Sequence, residues 1–322
     1  MTKPVLFSSF RPLERAENIN AIYNAYSGNK HHIHTYDANY KQEVQSGKYD
    51  ILITDDFPTV SPGKCILLWH GIHGGKTIAL DQPNHPYFSK KNAELITYII
   101  SAGTGMVNAW HICTGIPKER ILPLGMPRTD DYINHKHTSN NIKTYLFVPT
   151  FRDQHEPPFP SIDWQYLDNN LHDDELLIIK AHPWQFFQSK NDQITNNVNI
   201  NTLTHIKVAG ADEPSAPYLY NADVIITDYS TIMFDAYLLN KPVVLFEKTK
   251  GYIGSRGMCF GYPHQYCSFY TRNEQSLLDC IRYRYKHPYL TQTEQNCINI
   301  VADKCDGYSC ERISAFIDSM KG

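Results

Sequence analysis

Short apolar runs, separated by turn residues and by stretches with helical spacing, recur along the whole chain. In the first part they occupy residues 5–7, 32–35, 49–54, 65–69, 96–101 and 121–124, with helical spacing near 15–26, 38–46 and 104–113. A second series follows at 144–148, 176–180, 206–209, 224–227 and 243–246, with helical stretches near 215–221 and 230–239. Brief apolar runs that alternate with helices predict parallel strands joined by helical crossovers. The polar stretch His135-Lys136-His137-Thr138-Ser139-Asn140-Asn141 parts the two series and places a domain boundary there, giving residues 1–138 and 139–322. Three amphipathic segments near 273–287, 291–303 and 308–320 close the second domain. The expected fold is α/β, two Rossmann-like doubly wound domains with a cleft between them, and in such sheets ligands bind at the carboxyl ends of the strands.

Composition agrees and removes several function classes. A chain of 322 residues has room for two domains, and a 42% hydrophobic share supplies both with cores. The formal net charge of −3 provides none of the positive field that sequence-independent nucleic-acid binding needs. The apolar run at the start is too short for a signal peptide, and no stretch approaches the roughly 18 apolar residues of a spanning helix. We therefore expect a cytoplasmic protein, with peripheral contact at the inner face of the membrane as the one membrane option. The eight cysteines include no C-x-x-C pair, which argues against zinc ribbons and redox motifs, so they are expected to be reduced and mostly buried.

Chemistry-bearing residues collect where strands are expected to end. The apolar run 65–68 leads into Trp69-His70-Gly71, and Gly71, Gly74 and Gly75 permit close approach of backbone or ligand. Arg152 follows the strand at 144–148 and offers a rigid fork of donors suited to phosphate oxygens. Lys180 and His182 follow the strand at 176–180, and Pro183 stops it. The segment Thr227-Asp228-Tyr229-Ser230-Thr231 feeds a helix and supplies free amides and two hydroxyls, an anion site without a glycine-rich phosphate loop. Singly, each has a plain structural reading: a satisfied histidine, a helix cap, a surface arginine. Asp228 and Asp235 are read as helix anchors, and no built-in metal site is expected. Together, two imidazoles, a guanidinium and a helix start suit a substrate with two phosphates and a hydroxyl to deprotonate.

Seven motifs, in order, carry a resemblance: "WHG" at 69–71, "GMPRTD" at 125–130, "PTFRD" at 149–153, "KAHP" at 180–183, "TDYSTIMFDAYLLNKPVVLF" at 227–246, "RGMCF" at 256–260 and "DGYSCERI" at 306–313. From about residue 65 onward the chain resembles the CDP-glycerol glycerophosphotransferase family, which builds teichoic acids and related glycerol-phosphate or ribitol-phosphate capsule polymers. The resemblance implies a GT-B architecture, with an acceptor-side first domain and a donor-nucleotide-binding second one. It also implies that His70 and His182 are the essential histidines and that Arg152, Ser230 and Thr231 contact the donor pyrophosphate. Thr150, Lys180 and Asp228 are assigned with them to donor binding, and Gly71 and Arg128 to the acceptor side. Two departures stand out: "WHGIHGGKT" lacks the usual "WHGT-P" continuation, and "DYST" replaces "DYSS" while keeping the hydroxyl.

The implied reaction is attack of an acceptor hydroxyl on the β-phosphorus of CDP-glycerol, with release of CMP and no bound cofactor. His70 is the expected general base, and His182 the residue that binds or protonates phosphate oxygens. The acceptor is expected to be a glycan or a polyol phosphate, with a lipid-linked form included. CDP-ribitol is the competing donor. Other classes on the same fold are a sugar-nucleotide epimerase or hydrolase, a transferase of a CMP-linked acidic sugar, and a binding protein, which would lack the two imidazoles. Lys248, Lys250, Tyr252 and Arg256 are expected to form a loop over the cleft.

Overall fold

The computed structural model describes residues 2–73, 90–135, 141–150, 162–182, 202–210, 213–248, 258 and 261–321. The chain divides into two compact units, Met1–Asn134 with Ile298–Gly322, and His135–Cys297.

The first unit is built on β1 (Val5–Ser9), β2 (Lys30–His34), β3 (Ile51–Thr54), β4 (Lys64–Leu67), β5 (Tyr98–Ser101) and β6 (Ile121–Pro123). They lie in the order β2-β1-β3-β4-β5-β6, and every pairing is parallel. Both faces are covered, which is why the strands read as continuous apolar runs rather than alternating ones. Phe7, Ile53 and Ile66 point to one face, where Ile19 and Ile22 of the helix Glu17–Ala25 meet them. Leu6, Leu52 and Cys65 point to the other, against Tyr40 and Val44 of the helix Tyr40–Val44. The strand order reverses between β1 and β3, one of the two common switch-point arrangements of doubly wound sheets.

The second unit carries β7 (Lys143–Phe147), β8 (Glu175–Ile179), β9 (Ile206–Val208), β10 (Val224–Thr227), β11 (Val243–Phe246) and β12 (Tyr270–Thr271). Their order is β12-β11-β10-β7-β8-β9, again all parallel. Its switch point lies between β7 and β10. Phe147, Ile179, Ile226 and Val244 share a core with Trp164 and Leu167 of the helix Trp164–Asn170 and with Leu277, Leu278 and Ile281 of the helix Glu274–Lys286.

The expected α/β class and both sheets are present, but the expected domain span 139–322 is not what the contacts define. The first break falls between Asn134 and His135, close to 138/139, and the chain then returns to the first unit from Ile298 onward. The cause is specific to the last helix, Ser309–Ser319. Asp130 accepts the Ser309 and Cys310 N–H groups at 2.9 and 2.7 Å and so caps it. Ile313 and Ile317 enter the first core with no exposed surface. Arg312 Nε reaches the Leu124 carbonyl at 3.0 Å, and Tyr26 donates to Asp318 at 2.8 Å. Two-residue β12 was not expected either, since Tyr270-Thr271 is too short to show a period.

Because Ile313 fills the core of the first unit, Ile313→Ala should cost about 2–5 kcal/mol. Denaturant unfolding followed by Trp110, which lies in that unit, should report the loss; an unshifted midpoint would return residues 298–322 to the second unit.

Candidate active site

In the first unit, β4 ends at Leu67 and the chain turns at Trp69, whose φ is 61°. A bulky residue in the left-handed region costs about 1–3 kcal/mol and persists only where its surroundings dictate it. Those surroundings are aromatic and polar. The Trp69 ring meets Phe57 and Trp110 edge-on, at 5.7 and 6.0 Å between centroids. The Trp69 carbonyl accepts from Asn18 Nδ2 at 2.9 Å. His70 follows, exposed, with its ring 4.2 Å from that of Trp69. Gly71 and Ile72 are buried directly after it, and His73 packs on Trp110 at 4.5 Å.

Arg128, from the turn after β6, donates from Nη1 to the His70 carbonyl and lies 3.7 Å from the Glu17 carboxylate, with its side chain 8% exposed. Thus His70, expected as the general base, stands beside Gly71 and Arg128, the two residues expected on the acceptor side. Three further charged groups stand at the ends of β1 and β3. Asp55 accepts the Phe10 N–H at 3.1 Å. Burial pushes its carboxyl up to about 6. Burial, with the neighbouring Asp55 charge, takes Asp56 to about 7. Burial also lowers the Arg11 pKa, against Glu17 and Asp55, while Arg128 adds to the lowering.

In the second unit, the ends of β7 and β10 are laced together at the switch point. Val148 N–H donates to Ile226 O at 2.8 Å, and Thr227 Oγ1 donates to Val148 O at 2.6 Å. Thr150 N–H donates to Asp228 Oδ1 at 2.8 Å, and the Tyr229 N–H reaches the same oxygen. Asp228 is 2% exposed and Thr150 4%, so this carboxylate ties one turn to the other. Ser230 Oγ accepts the Ile232 N–H at 3.4 Å, and Thr231 occupies the N-cap of the helix Ile232–Leu238. Lys180 is 2% exposed, and its Nζ donates to the Gly210 carbonyl at 3.1 Å. His182 is half-buried, three residues beyond β8. Arg152 lies outside the described residues, as do Lys250, Tyr252 and Arg256. Lys248 is described, and its ammonium pairs with Glu274.

Sequence reasoning missed Asn18, Arg11, Asp55 and Asp56. The signal for Asn18 was a polar residue set among the buried-face positions of its helix, beside Ile19 and four residues before Ile22. Among the described residues, no group of three or more His, Cys, Asp or Glu side chains could hold a metal ion, and no helix is long and apolar enough to cross a membrane.

Two wholly parallel Rossmann-like units, each with its polar residues at the strand exits, define a protein of the GT-B class. Residues 49–319 match the family model for CDP-Glycerol:Poly(glycerophosphate) glycerophosphotransferase, and the chain belongs to that family. It is similar to the teichoic acid glycerol-phosphate primase of Bacillus subtilis (strain 168), 25% identical over 284 residues, or 80% of this chain and 68% of that one. It is similar also to the teichoic acid poly(ribitol-phosphate) polymerase of Bacillus spizizenii, 24% identical over 290 residues, which is 82% of this chain. The match spans 45% of that polymerase, less than half its length. Among solved structures, the wall teichoic acid polymerase TagF superposes with a TM-score of 0.75 at 18% identity, covering 99% of this chain and 88% of that one. A UDP-GlcNAc 2-epimerase from Neisseria meningitidis does so with a TM-score of 0.65 at 12% identity, covering 98% and 99%.

Two outcomes follow from this geometry. Asp228→Ala leaves the buried Thr150 N–H without its acceptor and should lower the stability of the second unit by about 1–3 kcal/mol in denaturant unfolding, with Asn losing less. Asp55 and Asp56 hold their protons more tightly folded than unfolded, where carboxyls titrate near 3.8. Their contribution to stability is therefore present below about pH 4 and lost as pH rises through about 6 and 7. A pH series of melting temperatures should fall across that window in the wild type and flatten in Asp55→Asn/Asp56→Asn; an equal fall in both would remove these carboxyls as the cause.

Proposed function

We propose that this chain transfers glycerol phosphate from CDP-glycerol to a hydroxyl of a teichoic-acid-like or capsule polymer precursor and releases CMP. One observation carries the reading: in a member of this family, both motif histidines stand three residues past the end of a parallel strand, His70 after β4 and His182 after β8. Strand exits are where doubly wound sheets bind their ligands.

In the reaction, the acceptor oxygen forms a bond to the β-phosphorus while the bond from that phosphorus to the CMP oxygen breaks. His70 takes the hydroxyl proton, since an imidazole titrating near neutrality is suited to accept it. His182 donates to phosphate oxygens. Arg152, Ser230 and Thr231 hold the pyrophosphate and oppose the charge that gathers on departing CMP, work that is mostly positioning and electrostatics. Thr150 and Asp228, joined by the hydrogen bond from the Thr150 N–H to Asp228, and Lys180, ahead of His182, belong to the same donor-binding set. No resident metal or cofactor enters this reading. The acceptor is a glycan or polyol phosphate, lipid-linked in the cell, which places the protein at the cytoplasmic face of the membrane.

CDP-ribitol is the second reading, favoured by the similarity to a poly(ribitol-phosphate) polymerase. The test is CMP release by the purified protein offered each donor, with and without an acceptor fraction from a cell envelope. Acceptor-dependent release from CDP-glycerol is expected, falling by about two to four orders of magnitude in His70→Ala and in His182→Ala. Breakdown of donor without acceptor would favour a hydrolase, and release from CDP-ribitol alone would change the donor.

A further inference from the structure

We infer that Asn18 is the positioning residue for His70. The inference rests on the reading of His70 as the proton acceptor, and it starts from a buried amide that needs an explanation. Asn18 is 2% exposed, beside Ile19 and Ile22 on the buried face of the helix Glu17–Ala25. A polar group in such a place is costly unless its hydrogen bonds are made.

Both ends of this amide are used, and both partners are main chain. Nδ2 donates to the Trp69 carbonyl at 2.9 Å. Oδ1 accepts the Arg128 N–H at 3.2 Å. The two ends cannot be exchanged, because Trp69 presents only an oxygen and Arg128 only an N–H.

The partners flank His70 closely. Trp69 precedes it and turns the chain through a left-handed conformation, so the direction in which His70 leaves the sheet is set at the carbonyl that Asn18 holds. Arg128, whose amide Asn18 holds, returns its guanidinium to the His70 carbonyl. The links close a ring from Asn18 to Trp69, along the chain to His70, across to Arg128 and back to Asn18. Asn18 touches neither reacting atom; it holds the peptide on one side of His70 directly and the peptide on the other through Arg128. Aspartate is isosteric with Asn but cannot donate to Trp69 when ionised, and leucine of similar size makes neither bond. General-base catalysis depends on a placement that an error of about 1 Å can slow by about a hundredfold.

The experiment measures kcat and the KM for CDP-glycerol of the full chain, with a saturating envelope acceptor fraction, for Asn18→Asp, Asn18→Leu, His70→Ala and the double variant Asn18→Asp/His70→Ala. Circular dichroism confirms that each is folded, and the isosteric Asp variant guards against loss of fold in the Leu one. We expect kcat to fall about ten- to a hundredfold in both Asn18 variants, with KM within about twofold. We expect the double variant to match His70→Ala, since groups that act as a unit are not additive. Undiminished kcat in folded Asn18→Asp, an equal loss through KM, or an additive double variant would each overturn the assignment. Full turnover in His70→Ala would instead overturn the reading of His70 as base, which separates the two failures.

Discussion

Parallel pairing is the constraint from which the rest of this structure follows. A strand laid parallel to its neighbour must be reached by a crossover that returns to the same starting edge. All the turns that leave the strands then gather on the opposite edge. In the first unit this brings the exits of β1, β3, β4 and β6 to one rim, and with them Asp55, His70 and Arg128. In the second it does the same for Thr150, His182 and Asp228 after β7, β8 and β10. Covering both faces of each sheet with helices leaves the rim as the place where polar residues with unusual backbone can stand.

What holds those turns is mostly side chain to main chain. Asp228 gathers the amides of Thr150 and Tyr229. Asn18 joins a carbonyl to an amide across two turns. Asp130 gathers two amides at the start of the last helix. A buried carboxylate or amide spent on the main chain fixes a turn's geometry directly, because the peptide has no rotamer freedom to lose. Motif residues of this kind act at one remove: Asp228 belongs to the "TDYST" motif, yet its visible partners are backbone N–H groups, and Asp130 of "GMPRTD" serves a helix that begins 179 residues later.

The sheets were legible because buried parallel strands leave continuous apolar runs that local spacing reveals, as at 65–68 and 243–246. The histidines were legible as motifs, and their strand-exit addresses followed from the strands. Long-range partnerships were not. Nothing near Ser309 in the sequence states that Asp130 caps it, so the last helix was expected in the second domain although its apolar face belongs to the first core. Asn18 was passed over for the same reason: its partners lie 51 and 110 residues away. Lys180, assigned to donor binding by its motif, also has a main-chain partner that its motif does not announce: its Nζ donates to the Gly210 carbonyl, 30 residues on.

The last helix therefore bears on the chemistry of the first rim even though it contributes no residue to it. Ile313 and Ile317 pack in one core with Ile19 and Ile22, and Asp318 accepts from Tyr26 at the end of the helix that carries Asn18. That helix cannot shift on the sheet without moving the Asn18 amide, which meets its two partners within 3.2 Å. Hydrogen bonds of that length weaken steeply with small displacements and angular error, whereas an aliphatic contact tolerates them. The apolar packing thus sets where the helix lies, and the polar pair converts that position into the direction of the backbone entering His70. Stability in the core and geometry at the strand exit are coupled through one helix segment, 17 to 22, and the chain's last helix is part of what keeps that segment in place.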